Sequence, residues 1–203
     1  SRIERRDRGT YEIFPDGSEK DISEEIPFDI PDSWEWCRLR EACYAFQYGT
    51  AKKSEKTGKA IVLRMGNIQD GEIDFRNLVF SNDASDLLAF ELRNGDVLFN
   101  RTNSEELVGK SAIFRGHNIP TIFAGYLIRI IKGKGLNSEY LNYFLNSPFA
   151  WIQGRTVLSL GVNQANISGA KLANYLFPLP PLKEQHRIVE KLGVLMMELG
   201  TTK

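Results

Sequence analysis

Cysteine and histidine are scarce, with two of each among 203 residues. Cys37 and Cys43 stand six apart, outside the common zinc spacings, so no metal site is predicted. A chain of this length needs no disulfide. Two reduced, mostly buried thiols are expected, which suits a cytoplasmic location. His117 falls in a Gly-His-Asn turn and carries no catalytic expectation. Net charge is also missing: 26 basic residues balance 26 acidic ones. Composition alone therefore lends no support to nucleic-acid binding, and a basic surface would require segregated charges. No apolar run approaches the roughly 20 residues that span a bilayer. No lysine has an acid two positions before it, as the common metal-dependent nucleases require. The Asn/Asp-Pro-Pro-aromatic loop of amino-DNA methyltransferases is missing, and so is a glycine-rich cofactor loop after a strand. Lys132-Gly133-Lys134-Gly135 is too short to cradle phosphate. Ser, Cys and His form no arrangement suggestive of a triad. No cofactor is predicted, and these absences favour a binding module over an enzyme.

What is present is a core. Hydrophobic residues make up 42% of the chain and aromatics 11%, enough for one well-filled domain. The chain starts at Ser1 without a signal peptide and reads as a fragment or a processed product. Residues 1–25 read as an arm or linker, frayed over 1–10 and acidic from 16 onward. Prolines extend 26–31, and Trp34 and Trp36 alternate in strand fashion. A short helix is expected at 39–46, then a mobile lysine-rich loop at 47–59. Strands follow at 60–65, 72–80, 96–99 and 111–114, and one or two within 122–131, where Arg129 interrupts an apolar run. One or two helical turns fit 83–90. Ser138 should cap a helix at 139–145, and Trp151 should lie on the buried side of another at 149–153. Residues 154–166 read as irregular and glycine-punctuated, and Ser168 caps a further short helix to 175.

The closing stretch, FPLPPLKEQHRIVEKLGVLMMEL, is the most ordered pattern in the chain. Pro180 and Pro181 end what precedes them, and Pro181 suits a first helical turn. Leu182, Ile188, Val189, Leu192, Leu195, Met196 and Leu199 form one stripe with steps of three and four. Such a stripe either packs on its own domain or seeks a partner helix.

The segment PLPPLKEQHRIV at 178–189 closely resembles the one that follows a target-recognition domain in specificity subunits of type I restriction–modification systems. LFNRTNSEELVGK at 98–110 is very similar to a central motif of that family. IPDSWEW at 30–36 and Asn166-Ile167-Ser168 match it too, so the resemblance covers roughly 26–196. It implies a mixed α/β fold of the α+β kind: a twisted, mostly antiparallel sheet with short helices and a projecting C-terminal helix. The implied division is an arm at 1–25, a recognition domain at 26–179 and the start of a spacer helix at 180–203.

The resemblance also implies a non-catalytic role: reading one half of a bipartite double-stranded DNA target and docking the modification subunits. Through those it would meet restriction subunits, with a second recognition domain or a second copy pairing through the helix. The alternative is an assembly module without DNA reading. Candidate DNA contacts are Tyr48, Thr50, Lys52 and Lys53; Arg101, Thr102 and Asn103; and Arg155, Asn163 and Gln164. Arginine can grip guanine bidentately, asparagine or glutamine can grip adenine, and hydroxyls suit phosphate. Equally, Asn103 could satisfy its own turn while Arg101 pairs with an acid. Lys52, Lys53, Arg101 and Arg155 are expected on one face, away from the acids of 16–32.

Overall fold

The chain opens with an antiparallel meander of β1 (Arg2–Arg6), β2 (Gly9–Ile13) and β3 (Glu19–Asp21). The computed structural model, which describes residues 1–162 and 164–200, thus has paired strands where a frayed segment was expected. Thr10 and Glu12 alternate inward along β2. A buried carboxylate must be paired, and Glu12 accepts from Arg38 at 2.7 and 3.0 Å and from Arg40 at 3.0 Å. Ile22 and Ile30 pack with Trp36 and Leu176, which clamps this segment to the body. β4 (Glu35–Arg38) carries Trp36 into that cluster, and Trp34 packs against it.

The expected helix at 39–46 is only one turn, α1 (Leu39–Ala42), followed by β5 (Cys43–Tyr48). Pairing decides this: Tyr48 lies opposite Ile128 and Phe46 opposite Ile130. Cross-strand pairs of aromatic and β-branched residues outweigh a weak local helix preference. Burial pushes the thiols of Cys37 and Cys43 up to about 12, so both stay protonated and free. The lysine-rich loop is pinned rather than loose. Glu55 and Phe80 exchange both backbone hydrogen bonds. Gly58 approaches so closely that an added Cβ would sit 2.8 Å from the Ser81 carbonyl oxygen.

Short strands follow: β6 (Ala60–Leu63), β7 (Ile68–Gln69), β8 (Glu72–Ile73) and β9 (Val79–Ser81). α2 (Ala84–Phe90) is capped by Asp83. Then come β10 (Asp96–Asn100), β11 (Thr102–Asn103), β12 (Ser111–Phe114), β13 (Thr121–Phe123) and β14 (Leu127–Lys132). The main sheet runs β5-β14-β10-β12-β8-β7 and is antiparallel except between β12 and β8. Both of its faces are buried. Val97, Phe99, Ile113, Ile128 and Ile130 point one way; Leu98, Ala112, Phe114 and Leu127 point the other, onto Ile61, Leu63 and Phe123. The strand period of two makes that division. Arg129 escapes the core by reaching Gln47 at 2.9 Å and Asp96 at 3.2 Å.

α3 (Ser138–Leu145) is capped by Asn137 rather than Ser138, because the Asn137 amide oxygen accepts the Tyr140 N–H. α4 (Pro148–Val157) absorbs 154–157, which the glycine had suggested were irregular. Gly154 is needed there for space: a Cβ would fall 2.9 Å from the Tyr175 hydroxyl. β15 (Ser159–Leu160) and β16 (Ala165–Asn166) form a hairpin that joins β11 in a small sheet. α5 (Gly169–Ala173) starts from Ser168, and β17 (Leu176–Leu179) returns to pair with β4.

α6 (Leu182–Glu198) begins just after Pro181, which sits at the N-cap. Its stripe divides. Ile188 and Val189 pack on the core of their own domain, and Leu192 is half-buried. Leu182, Leu195, Met196 and Leu199 are exposed. Gln185, fully buried, fixes the root of the helix. It accepts from the Asn137 N–H at 2.8 Å and donates to the carbonyls of Gly135 and Pro180, both at 2.9 Å. Gln185→Leu takes the side-chain partner from three backbone groups at the root of the helix and is expected to cost about 2–3 kcal/mol, read as a lower urea midpoint. No helix among the described residues is long and apolar enough to cross a membrane.

Candidate nucleic-acid interface

One end of the main sheet gathers the polar residues that the sequence scatters. In its register, Asn100 at the end of β10 faces Leu127 at the start of β14, and Tyr48 at the end of β5 faces Ile128. Phe99 faces Ser111. Arg101, Lys110 and Tyr126 therefore emerge together.

Arg101 is turned inward. Its guanidinium donates to the Gly125 carbonyl at 3.3 Å and to Asn166 Oδ1 at 3.1 Å, and lies 5.0 Å from the centre of the Tyr48 ring. Asn166 in turn donates to Thr102 Oγ1 at 2.7 Å, and the Tyr48 hydroxyl accepts the Gly169 N–H at 2.7 Å. Thr102 is buried. These residues brace the 159–166 hairpin. A guanidinium fork fits a carbonyl and an amide oxygen as readily as a base edge; its partners here carry no charge, so the expected acid is not used.

Arg155 behaves alike. It lies 4.9 Å from the centre of the Trp151 ring and donates to the carbonyls of Glu105 and Val108, tying α4 to the turn after Asn103. Thr50 is buried, and its hydroxyl donates to the Asp86 carboxylate. Lys52 pairs with Asp83 at 2.6 Å and Asp86 at 3.0 Å, which raises its pKa and offsets its charge with neighbouring carboxylates. Lys53 and Gln164 are exposed, and Asn163 lies outside the described residues. The basic face expected from Lys52, Lys53, Arg101 and Arg155 is thus not present as four free charges. The acids of 16–32 belong to the N-terminal sheet and its flank, where Glu19 pairs with Arg6 and Glu25 with Lys20 and Arg38.

Beside this brace lies a cleft of about 520 Å³, lined by Arg64, Gln69, Arg76, Asn103, Lys110 and Tyr126 among others. Asn67, buried at the root of the 64–77 loop, shapes its wall. It accepts the Arg64 N–H at 2.9 Å and donates to the carbonyls of Asp74 and Arg76 at 2.8 and 3.1 Å. Asp70 and Asn77 take left-handed backbone, which their side chains tolerate better than most.

Three cations line the cleft against one carboxylate, Asp74, which Arg76 holds in a bidentate pair below its ordinary pKa. Arg64 donates to the Asn77 carbonyl at 3.1 Å, and Lys110 to Gln69 Oε1 at 3.4 Å; both keep donors to spare. Tyr126 is 45% exposed. Asn103 keeps its Oδ1 on the Ser104 N–H, at the edge of the cleft. Cationic donors, primary amides and a phenol around an open cleft suit phosphate and base edges. Sequence reading named only Asn103 of this set, because its members come from three separated segments. The local signal was the motif at 98–110, which holds Asn103 and ends in Lys110. Among the described residues, no group of three or more His, Cys, Asp or Glu converges as metal ligands would.

A family model described as the type I restriction modification DNA specificity domain matches residues 31–203. A Methanocaldococcus jannaschii protein assigned as the type I restriction enzyme MjaX specificity subunit is 31% identical over 182 residues, 85% of this chain and 42% of that one. The EcoAI specificity subunit of Escherichia coli is 32% identical over 191 residues, 89% of this chain and 31% of that one. The chain thus spans less than half the length of these relatives. Among solved structures, the HsdS subunit from Thermoanaerobacter tengcongensis shares the fold, with a TM-score of 0.62 at 21% identity over 86% of this chain and 40% of that one.

Proposed function

Because this chain belongs to the type I restriction modification DNA specificity domain family, whose members are non-catalytic components of their enzymes, we propose that it reads one half of a bipartite double-stranded DNA target. The observation that carries the reading is the cleft, where Arg64 and Lys110 line open space and form no ion pair among the described residues. In this reading Arg64 and Lys110 hold phosphates. Gln69, Asn103 and Gln164 offer amides to base edges, and Tyr126 lends an exposed ring. Lys53 adds a further phosphate contact. Arg101, Thr102, Tyr48 and Arg155 act behind them as supports. The exposed outer half of α6, with Leu195 and Leu199, pairs with a second helix, and the subunit docks modification subunits and, through them, restriction subunits.

The test is selection from random duplex DNA by the full specificity subunit assembled with its modification subunit. A short enriched motif is expected. Arg64→Ala and Lys110→Ala should each weaken binding uniformly across sequences and make the slope of log affinity against log salt shallower by about one. Gln69→Ala should relax a single position, by about 1–3 kcal/mol of discrimination. Assembly without any enriched motif would favour a purely assembling module, and the exposed stripe on α6 is what that alternative would use.

A further inference from the structure

The brace around Arg101 holds something in place. Arg101, Thr102, Asn166 and Tyr48 fix the inner strand of the 159–166 hairpin. Lys171 fixes its outer side, donating to the Val157 carbonyl at 2.6 Å and to Ser159 Oγ at 2.7 Å. The Gly161 N–H closes onto the Gln164 carbonyl at 2.7 Å. What this braced ribbon carries outward is apolar: Leu160 is 71% exposed and Val162 is 99% exposed. A lone exposed aliphatic needs no explanation. Two at the outer end of a ribbon braced at its base, beside a cationic cleft, ask for an occupant.

We infer that this hairpin tip enters the major groove and that Val162, with Leu160 beside it, recognises thymine through its 5-methyl group. The inference rests on the proposed DNA reading and assigns one contact within it. A two-stranded ribbon fits a major groove about 12 Å wide. Asn103 lies both on the cleft wall and in β11, next to the hairpin. From β11 across β16 to β15 is two inter-strand steps, about 10 Å. A DNA backbone held at the cleft therefore brings its groove over the tip. Of the four base edges in that groove, only thymine presents a methyl group. Guanine, adenine and cytosine present polar atoms that an aliphatic side chain would dehydrate without a partner.

The experiment uses the assembled subunit and the motif it selects. Each thymine of that motif is replaced singly by deoxyuridine, which lacks only the methyl group. At one or two positions wild-type affinity should fall about fourfold, the worth of one buried methyl. Val162→Ser, tested alone and together with Leu160→Ser, should bind the thymine and uracil duplexes alike. Unchanged urea midpoints are expected because both side chains face solvent. A motif with no uracil-sensitive position, or variants that keep the wild-type sensitivity, overturns the thymine assignment alone. Failure to enrich any motif removes the DNA reading and this contact with it. Variants that lose assembly while keeping the uracil response would make the tip a protein contact and overturn the inference.

Discussion

Replacing Arg38 with methionine is expected to cost about 3–5 kcal/mol, a large fraction of the net stability of a domain. Arg38 is 8% exposed and Glu12 is 3% exposed, so removing the cation leaves a buried carboxylate without its main partner. Glu25 and the Asn174 carbonyl lose a donor as well. The loss should fall first on the N-terminal sheet, because Glu12 sits on β2 and Arg38 on β4. Hydrogen exchange at residues 9–13 should rise before exchange in the main sheet does. A wild-type profile at 9–13 in the variant would sink the claim.

The same pair sets an acid limit. Burial alone would raise the Glu12 carboxyl, but hydrogen bonds from Arg38 and Ser1, and the charges of Arg38 and Arg40, hold it below its ordinary value of 4.5. Its folded pKa is therefore lower than its unfolded one, and its contribution is complete above about pH 5. That contribution is lost as pH falls through 4.5 toward the depressed value, where proton uptake favours the unfolded chain. Glu25 shifts in the same direction, with burial opposing Lys20 and Arg38. Urea midpoints should be flat from pH 7 to 5 and fall below that, and Glu12→Gln should flatten the acid limb.

The second large effect is on recognition. Arg101→Ala removes two charge-assisted hydrogen bonds and the stack on Tyr48, about 2–3 kcal/mol of local support for the 159–166 hairpin. Sequence discrimination is expected to fall at least tenfold, while the global urea midpoint moves far less. Arg101→Lys separates support from direct contact. A lysine keeps the charge a phosphate would need but cannot span both the Gly125 carbonyl and Asn166 Oδ1. If Arg101 supports, the lysine variant loses discrimination and its 159–166 amides exchange faster without DNA present. Retained discrimination with slow exchange would instead mean that Arg101 touches DNA itself.

These two arginines show where the sequence stops being informative. Residues 96–99 and 111–114 could be read as strands because short, continuous apolar runs suit a strand covered on both faces. The stripe from Leu182 to Leu199 declared a helix for the same kind of reason. Its division between the domain core and open solvent depended on where the body ends. Residues 39–46 look locally helical, and only the strand at 127–132 makes the second half of them β. The motif at 98–110 pointed to the right family. It could not say that Arg101 and Thr102 face inward, because a guanidinium or hydroxyl is chemically suited to either role. Which partner it meets is decided by residues more than sixty positions away, such as Asn166. Arg64 and Tyr126 carry no motif, Lys110 closes the one at 98–110, and the three form a cleft only because three chain segments end at one edge. By itself, then, the sequence determined the family, the periodic elements and the absence of local catalytic motifs, all of which are short-range properties. Only the tertiary structure decided which polar side chains were consumed in bracing and which kept donors to spare. Hydrogen bonds and ion pairs between distant segments are settled by packing, not by spacing along the chain.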